Sequence, residues 1–370
     1  MRIALFGAYD PSYPRTRVLQ EGLEARGAEV VPIRAPADAP AGIREIRLCA
    51  EWIRSARKLD AVLVPSFGHR DIPLAGLLGR ATDSPVIFDP LVSRWDTQVG
   101  DLGRLRGGSW SARRVRASDR LAMGLADLVL CDTWEHGDFY STEFGIARKK
   151  LSRVPVGADR FAFELGARRT PRPRTGPLDV VYIGGYLPLH GLPTIVDAAT
   201  ELLRRHGPRF ATFTLVGGGM MLPLVSRDVA ARGLSNVRLL PRMPYEEAMT
   251  RLARADIGLG IFGTSAKSGR VVPHKVFQSM ALGVPTITRR SAAVAEFFRD
   301  EEHLILVPAG DGPALARAIE ALAQDPVRLE RIGARGRAAA QEQASPSRIG
   351  DLLVEAVERT REATAPGARR

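Results

Sequence analysis

The chain has 370 residues, 45% of them hydrophobic and 25% charged, with a net charge of +12. The length allows two domains of ordinary size, and the composition excludes a disordered or fibrous chain. The charge favours anionic partners such as nucleic acid, acidic membranes or phosphorylated ligands, although a solvated arginine-rich surface is the plainer source of most of it.

The opening Met1-Arg2-Ile3-Ala4-Leu5-Phe6-Gly7 reads as a first β-strand, its apolar part being too short for a signal peptide. Further strands are predicted over residues 29–33, 61–65, 85–88 and 128–131, with helices between them, for example over 17–26 and 42–58. A second alternating series places strands at 178–183, 212–216, 237–240, 257–259, 286–288 and 304–307, with helices at 192–206, 221–232, 245–253 and 313–323. Continuous Val/Ile/Leu strands separated by helical patterns predict parallel sheets covered on both faces, hence an α/β protein of two doubly wound, Rossmann-like domains. The expected division is 1–165, a proline- and arginine-rich linker over 166–177, and 178–345. A helix over 346–362, apolar at Ile349, Leu352, Leu353 and Val357, is expected to return to the N-terminal domain, and a disordered tail is expected over 363–370. Two cysteines, Cys49 and Cys131, are too few for a disulfide framework and fit packing in a reducing cytoplasm. No apolar run is long enough to span a bilayer.

Several segments carry chemistry on their residues alone. Gly184 and Gly185 stand between a strand and a helix, where the missing Cβ lets phosphate oxygens approach backbone N–H groups. A tight turn without ligand is the alternative, and the recurrence of glycines at 217–219, one unit later, favours the phosphate. His190 opens the next helix as a phosphate donor or as a cap. Residues 263–275 form a polar loop with Lys267 and Arg270 that leads, past Pro273, into a helix over 275–282 closed by Gly283. A basic loop at a helix N-terminus is an anion site, and the ligand it suggests is a phosphate or diphosphate. The stretch from Arg94 to Arg120 interleaves arginines with Trp95, Leu102, Leu105, Trp110 and Val115. It fits contact with anionic lipid headgroups, or equally a solvated helix face. No nucleic-acid-binding motif is present, so nucleic acid is not expected as a partner.

Taken in order, Pro155-Val156-Gly157-Ala158-Asp159-Arg160-Phe161-Ala162-Phe163, the strand–loop–helix of 181–192, Leu215-Val216-Gly217-Gly218-Gly219, and 255–259 followed by 275–286 resemble the GT-B glycosyltransferases, and more narrowly glycosyltransferase family 4. The resemblance implies two domains facing each other across a cleft and transfer of a sugar from a nucleoside-diphosphate sugar to a hydroxyl, with retention at the anomeric carbon. It implies no cofactor beyond that co-substrate and no metal. The acceptor would be a glycan, a lipid-linked molecule or a small molecule, and the protein would be cytoplasmic, with peripheral contact to the inner membrane face as an option. The family pattern has arginine and lysine where this chain has Gly185 and His190, and two glutamates where it has Arg270 and Gln278. Lys267, Arg270 and Lys275 are therefore expected to hold the diphosphate alongside Gly184, Gly217 and Gly218. Gln278 is expected on the ribose, and the backbone of Arg242 and Met243 on the base. In the N-terminal half Asp89 and His69 are the catalytic candidates, and Tyr9, Arg15, Asp71 and Asp96 the acceptor-binding ones; turn, cap and packing roles are the alternatives. A nucleotide-sugar epimerase on the same architecture and a catalytically silent partner protein are the rival functions.

Overall fold

The structure, a computed structural model, describes residues 1–36, 38–55, 58–170 and 176–364. Most of the expected linker (171–175), the end of the predicted 42–58 helix (56–57) and the last six residues of the expected tail (365–370) lie outside the described residues. The chain forms two compact units, Met1–Asp159 with Ala344–Arg370, and Arg160–Gln343.

In the first unit the elements run β1 (Arg2–Gly7), α1 (Pro14–Ala25), β2 (Glu29–Arg34), α2 (Ile43–Ser55), β3 (Ala61–Val64), α3 (Ile72–Ala81), β4 (Val86–Phe88), α4 (Trp110–Leu125), β5 (Leu128–Cys131), α5 (Trp134–Phe144) and β6 (Leu151–Arg153). The strands make one parallel sheet in the order β2-β1-β3-β4-β5-β6. Both faces are buried, which is why β3, β4 and β5 are apolar at every position. One face packs on Leu48 and Trp52 of α2, Ile72 and Ala75 of α3, Met123 of α4 and Tyr140 of α5. Ser109 and Thr133 cap α4 and α5 by accepting from the N–H of Ala112 and His136, and Gly145, at φ 70°, ends α5.

The second unit contains α6 (Arg160–Ala167), β7 (Leu178–Gly185), α7 (Leu192–His206), β8 (Ala211–Gly218), α8 (Leu222–Ala231), β9 (Val237–Leu240), α9 (Tyr245–Ala253), β10 (Ile257–Leu259), α10 (Ala266–Arg270), α11 (His274–Ala281), β11 (Thr286–Arg289), α12 (Ala292–Ala295), β12 (Ile305–Val307), α13 (Gly312–Gln324) and α14 (Pro326–Ala344). Its sheet is also parallel, ordered β12-β11-β10-β7-β8-β9. Leu192 and Ile195 of α7 and Leu315 and Ile319 of α13 cover one face, and Met249 and Leu252 of α9 cover the other. The chain leaves β7 toward β8 and β9, then returns on the opposite side as β10. The C-terminal ends of β7 and β10 therefore flank a topological switch point, where ligands bind in open α/β sheets.

The last helix, α15 (Pro346–Thr364), belongs to the first unit. With α1 it covers the other face of that sheet, through Val18, Leu19, Ile349 and Leu353. The two helices approach so closely at Gly22 and Gly350 that a Cβ on Gly350 would fall 2.1 Å from the Gly22 carbonyl oxygen. Two local differences from the sequence reading stand out. The polar 263–272 segment is not all loop, because Ser265 caps the short α10 by accepting from the N–H of Ser268. The three-residue β6 was not predicted; it is too short for a periodic pattern to show.

Candidate functional site

The second unit brings the predicted anion-binding residues together at the end of β7. Gly184 and Gly217 are paired in the β7–β8 register. A Cβ on Gly217 would lie 1.9 Å from the Gly184 carbonyl oxygen, and one on Gly184 would lie 2.7 Å from Lys275 Nζ, at a φ of 149° that side chains rarely adopt. Both positions must therefore be glycine. Gly218 faces open space, and Gly185 has only ordinary contacts, so packing does not dictate those two.

Lys275 comes from the first turn of α11, which Pro273 starts from an extended conformation. Its ammonium group donates to Tyr182 Oη at 2.7 Å and sits 4.1 Å from the centre of that ring. Tyr182 Oη donates in turn to the Gly185 carbonyl at 2.7 Å. His190 Nδ1 lies 2.9 Å from Tyr182 Oη and 2.5 Å from the same carbonyl. A carbonyl can only accept, so the network assigns the proton of neutral His190 to Nδ1 and leaves Nε2 as a lone pair. Burial, then the positive charges of Lys275 and Lys267, push the His190 pKa well below its ordinary value. Burial pushes that of Lys275 well down too. The chain's few lysines are Lys58, Lys149, Lys150, Lys267 and Lys275, yet two of them act on this one histidine. Such a site is short of negative charge: an anion at Gly184–Gly185 would favour the charged form of Lys275.

Around this centre, Lys267 is buried on α10, and Arg270, half-buried, closes the same helix. Val271 packs with Leu187 and Leu189, joining this segment to the loop beyond Gly185. Gln278, one turn beyond Lys275, is buried, with Nε2 3.5 Å from Tyr245 Oη. Arg242 is exposed and Met243 partly buried, in the extended segment after β9. Two further residues were not singled out from the sequence. Tyr182 is the hub of the network but looks like any aromatic in an apolar strand. Arg289, at the end of β11, donates to the Gly263 carbonyl at 2.7 Å and to Ser268 Oγ at 2.6 Å, pinning α10 in place.

The candidates of the first unit are placed differently, with their side chains enclosed in the fold. Asp89 and Arg15 are consumed by each other. Arg15 Nε donates to Asp89 Oδ2 at 2.9 Å and Nη2 to Asp89 Oδ1 at 3.3 Å, Nη1 and Nη2 also reach the Pro155 and Val154 carbonyls, and both side chains are essentially unexposed. An ion pair so enclosed ties the first turn of α1 to the end of β4. His69 is also fully enclosed, edge-on to Phe88 with ring centres 5.0 Å apart and with Nε2 3.6 Å from Asp119. Burial and the nearby Arg94 push its pKa down to about 4. Asp119 in turn accepts from Ser93 Oγ and the Trp95 N–H, so this cluster ties the turns after β3 and β4 to α4. Asp71 accepts from the Ala8 N–H at 3.0 Å and lies 3.4 Å from Arg44, latching the loop after β1. Tyr9 packs in the α1–α15 core, and Asp96 is buried where its N–H donates to Ser93 Oγ. All five polar side chains, Arg15, His69, Asp71, Asp89 and Asp96, are buried, as is Tyr9. A hollow of about 840 Å³ lies in this unit, lined by Arg80, Asp83, Asp127, Glu358 and Arg361. It opens beside Pro85 and Asp127, at the starts of β4 and β5, opposite the edge where ligands bind such sheets.

Two doubly wound parallel units, the second with a lysine and paired glycines at its switch point, define a two-domain α/β protein. The sequence profile described as "Glycosyl transferase 4-like domain" matches residues 2–157, and that described as "Glycosyl transferases group 1" matches residues 177–325. Between them they account for most of the chain, and the protein belongs to the GT-B glycosyltransferases of the family-4-like type. A D-inositol 3-phosphate glycosyltransferase of Nocardia farcinica is 30% identical over 57% of this chain and 48% of its own. A GDP-mannose-dependent alpha-(1-6)-phosphatidylinositol monomannoside mannosyltransferase of Mycolicibacterium smegmatis is 30% identical over 50% of each chain. The chain thus spans about half the length of these curated relatives. Among solved structures, Anabaena HepE in complex with UDP-glucose matches with a TM-score of 0.70 and 14% identity, over 97% of this chain and 99% of that one. Sucrose-phosphate synthase of Thermosynechococcus elongatus matches with a TM-score of 0.69 and 17% identity, over 98% and 100%. At these identities the structural likeness concerns the fold.

Proposed function

We propose that the protein is a glycosyltransferase that moves a sugar from a nucleoside-diphosphate sugar to an acceptor hydroxyl with retention at the anomeric carbon. The observation that carries this reading is the placement of Lys275 Nζ against Gly184, hydrogen-bonded to Tyr182, at the switch point of the second unit. A diphosphate there would meet a desolvated cation, the N-terminus of α11 and glycine backbone without side chains in the way. Negative charge grows on the diphosphate as the glycosidic bond breaks, so fixed cations stabilise the transition state more than the bound donor. Lys267 and Arg270 would add charge from α10, Gln278 would face the ribose, and the backbone of Arg242 and Met243 would meet the base. The donor classes printed for the relatives, GDP-mannose and UDP-glucose, support a nucleoside-diphosphate sugar.

Asp89 and His69 are enclosed, so acceptor deprotonation falls to the donor itself: a diphosphate oxygen on the face of attack takes the hydroxyl proton as the new bond forms. The acceptor would be a glycan, a lipid-linked molecule or a small molecule carrying such a hydroxyl. The reading calls for no metal, since cationic side chains take the charge-neutralising part. Epimerisation needs an acid–base carboxylate pair at the sugar. Among the described residues, the hydrogen-bonded network at Gly184 is built from Tyr182, His190 and Lys275, which favours transfer. The test is product analysis by NMR with a matched donor and acceptor, with and without a chelator. Release of nucleoside diphosphate with a retained anomeric configuration is expected. An inverted product, or an epimerised donor without acceptor, contradicts the proposal.

A further inference from the structure

The sheet of the first unit has a switch point of its own. The chain leaves β1 toward β2 on one side and returns past it as β3 on the other. The C-terminal ends of β1 and β3 therefore flank the place where such sheets take ligands. The turns that follow these two strands are latched together, since Asp71 Oδ2 accepts from the Ala8 N–H at 3.0 Å. Phe67 stands in the second of them. The Gly68 N–H donates to the Pro65 carbonyl at 3.1 Å, closing a four-residue turn with Phe67 in its third place. There its φ is 68° and its ψ 3°, the left-handed conformation that ordinarily calls for glycine or asparagine.

A bulky side chain held in this conformation costs stability, and such positions gather at ligand sites. Burial does not explain the phenylalanine, because the residue is 52% exposed. Among the described residues, the apolar side chains at left-handed positions are Phe67 and Leu91. Leu91 lies in the neighbouring turn after β4, where the Pro90 carbonyl accepts from the Phe67 N–H at 3.5 Å. The Tyr13 ring, at the end of the loop after β1, meets Phe67 at 72° with ring centres 5.3 Å apart and fixes its orientation. Charged groups of both signs lie on the same turns, for Asp10 and Arg70 are both exposed. Asp10 opens the turn that Tyr13 closes, accepting from the Tyr13 N–H at 3.2 Å through its carbonyl. Its Oδ1 accepts from the N–H and the hydroxyl of Ser12 at 2.8 and 2.7 Å, which leaves Oδ2 for a ligand hydroxyl.

We propose that Phe67 is the platform for the acceptor and that the acceptor is a sugar, a pyranose lying with its C–H face on the phenyl ring and its hydroxyls toward Asp10 and Arg70. An aromatic face carries partial negative charge and attracts the partially positive C–H hydrogens of such a ring. A carboxylate accepts from the ring's hydroxyls, and a guanidinium donates to them. A lipid tail or an apolar peptide would need a wider apolar patch than one half-exposed ring between charged turns. The inference rests on the transferase reading and gives it an acceptor class. It concerns the first unit, so the nucleotide response of the second is measured apart from it.

Two measurements on the full chain test it, in wild type, Phe67→Gly and Phe67→Tyr. One is saturation-transfer NMR with methyl α-D-glucopyranoside and methyl α-D-mannopyranoside; the other is thermal shift with UDP and GDP. Wild type should saturate the C–H protons on one ring face of at least one pyranoside. Phe67→Gly should weaken that pyranoside about tenfold. By releasing the strained turn it should also raise the Tm by about 2–4 °C. Phe67→Tyr should keep the pyranoside signal, and both variants should keep the wild-type nucleotide shift. A wild type without pyranoside signal overturns the proposal, as does a glycine variant that binds the sugar unchanged or melts lower. A wild type that binds a pyranoside through Phe67 but responds to neither nucleotide supports the platform and contradicts the donor site instead.

Discussion

Replacing Lys275 by methionine keeps the apolar stem and removes the charge, which separates the two effects that this lysine has. In the empty protein its burial is a cost, since its pKa lies well below the ordinary 10.5. Between the lowered folded value and 10.5 the unfolded chain binds more protons than the native one, so native stability rises with pH in that window. The stability is complete above 10.5 and lost as pH falls through the folded value. Lys275→Met should therefore raise the Tm of the unliganded protein at neutral pH, by about 2–4 °C per kcal/mol of relieved desolvation, with the gain shrinking toward alkaline pH. The donor response should move the other way. Loss of one charge-assisted contact costs about 1.5–3 kcal/mol, or about ten- to a hundredfold in Kd. At a nucleotide concentration of about 100 times the wild-type Kd, wild type gains about 2.7 kcal/mol and a variant weakened a hundredfold gains about 0.4 kcal/mol. That is a Tm shift of about 5–10 °C against one of about 1–2 °C. Differential scanning fluorimetry reads both. A variant that keeps the full nucleotide shift removes Lys275 from the site, and one whose unliganded Tm falls shows that the bond to Tyr182 outweighs desolvation.

Other consequences follow from the same contacts. Gly184→Ala should weaken nucleotide binding more than about tenfold, because the new methyl displaces the ammonium group it faces, while Gly218→Ala, opening into free space, should stay within about twofold; isothermal titration of both variants decides, and equal effects refute the distinction. Asp89→Asn should destabilise the protein by about 3–5 kcal/mol in urea unfolding, since it strands buried Arg15, and a change below about 0.5 kcal/mol would show that the pair is not structural. His69, with its pKa pushed down from 6.5 to about 4, should contribute stability that is complete above pH 6.5 and lost as pH falls toward 4, amounting to about 3 kcal/mol. Unfolding at neutral and acid pH, in wild type and His69→Gln, should show a smaller acid loss in the variant; an identical pH slope contradicts this.

The architecture was legible because strands buried on both faces must be apolar throughout, so β3, β5 and β10 stand out between amphipathic helices. That Gly184, Gly217 and Lys275 meet was legible for a related reason: glycines ending two neighbouring strands and a cation in the first turn of a helix each mark a strand end, and the fold brings them together. Tyr182 was not legible, since nothing local distinguishes a tyrosine whose hydroxyl organises a site from one that fills a core. The burial of the acidic candidates of the first unit was not legible, because a carboxylate after a strand looks the same whether it faces solvent or a partner. Arg15 and Asp89 are 74 residues apart, and their mutual bond exists only once the sheet has formed.

The most direct test of the central claim is the experimental structure of the protein with a bound nucleoside diphosphate. The account predicts a phosphate oxygen within about 3 Å of Lys275 Nζ, over the Gly184–Gly185 backbone. A diphosphate bound away from both, with Lys275 still buried against Tyr182, would contradict it.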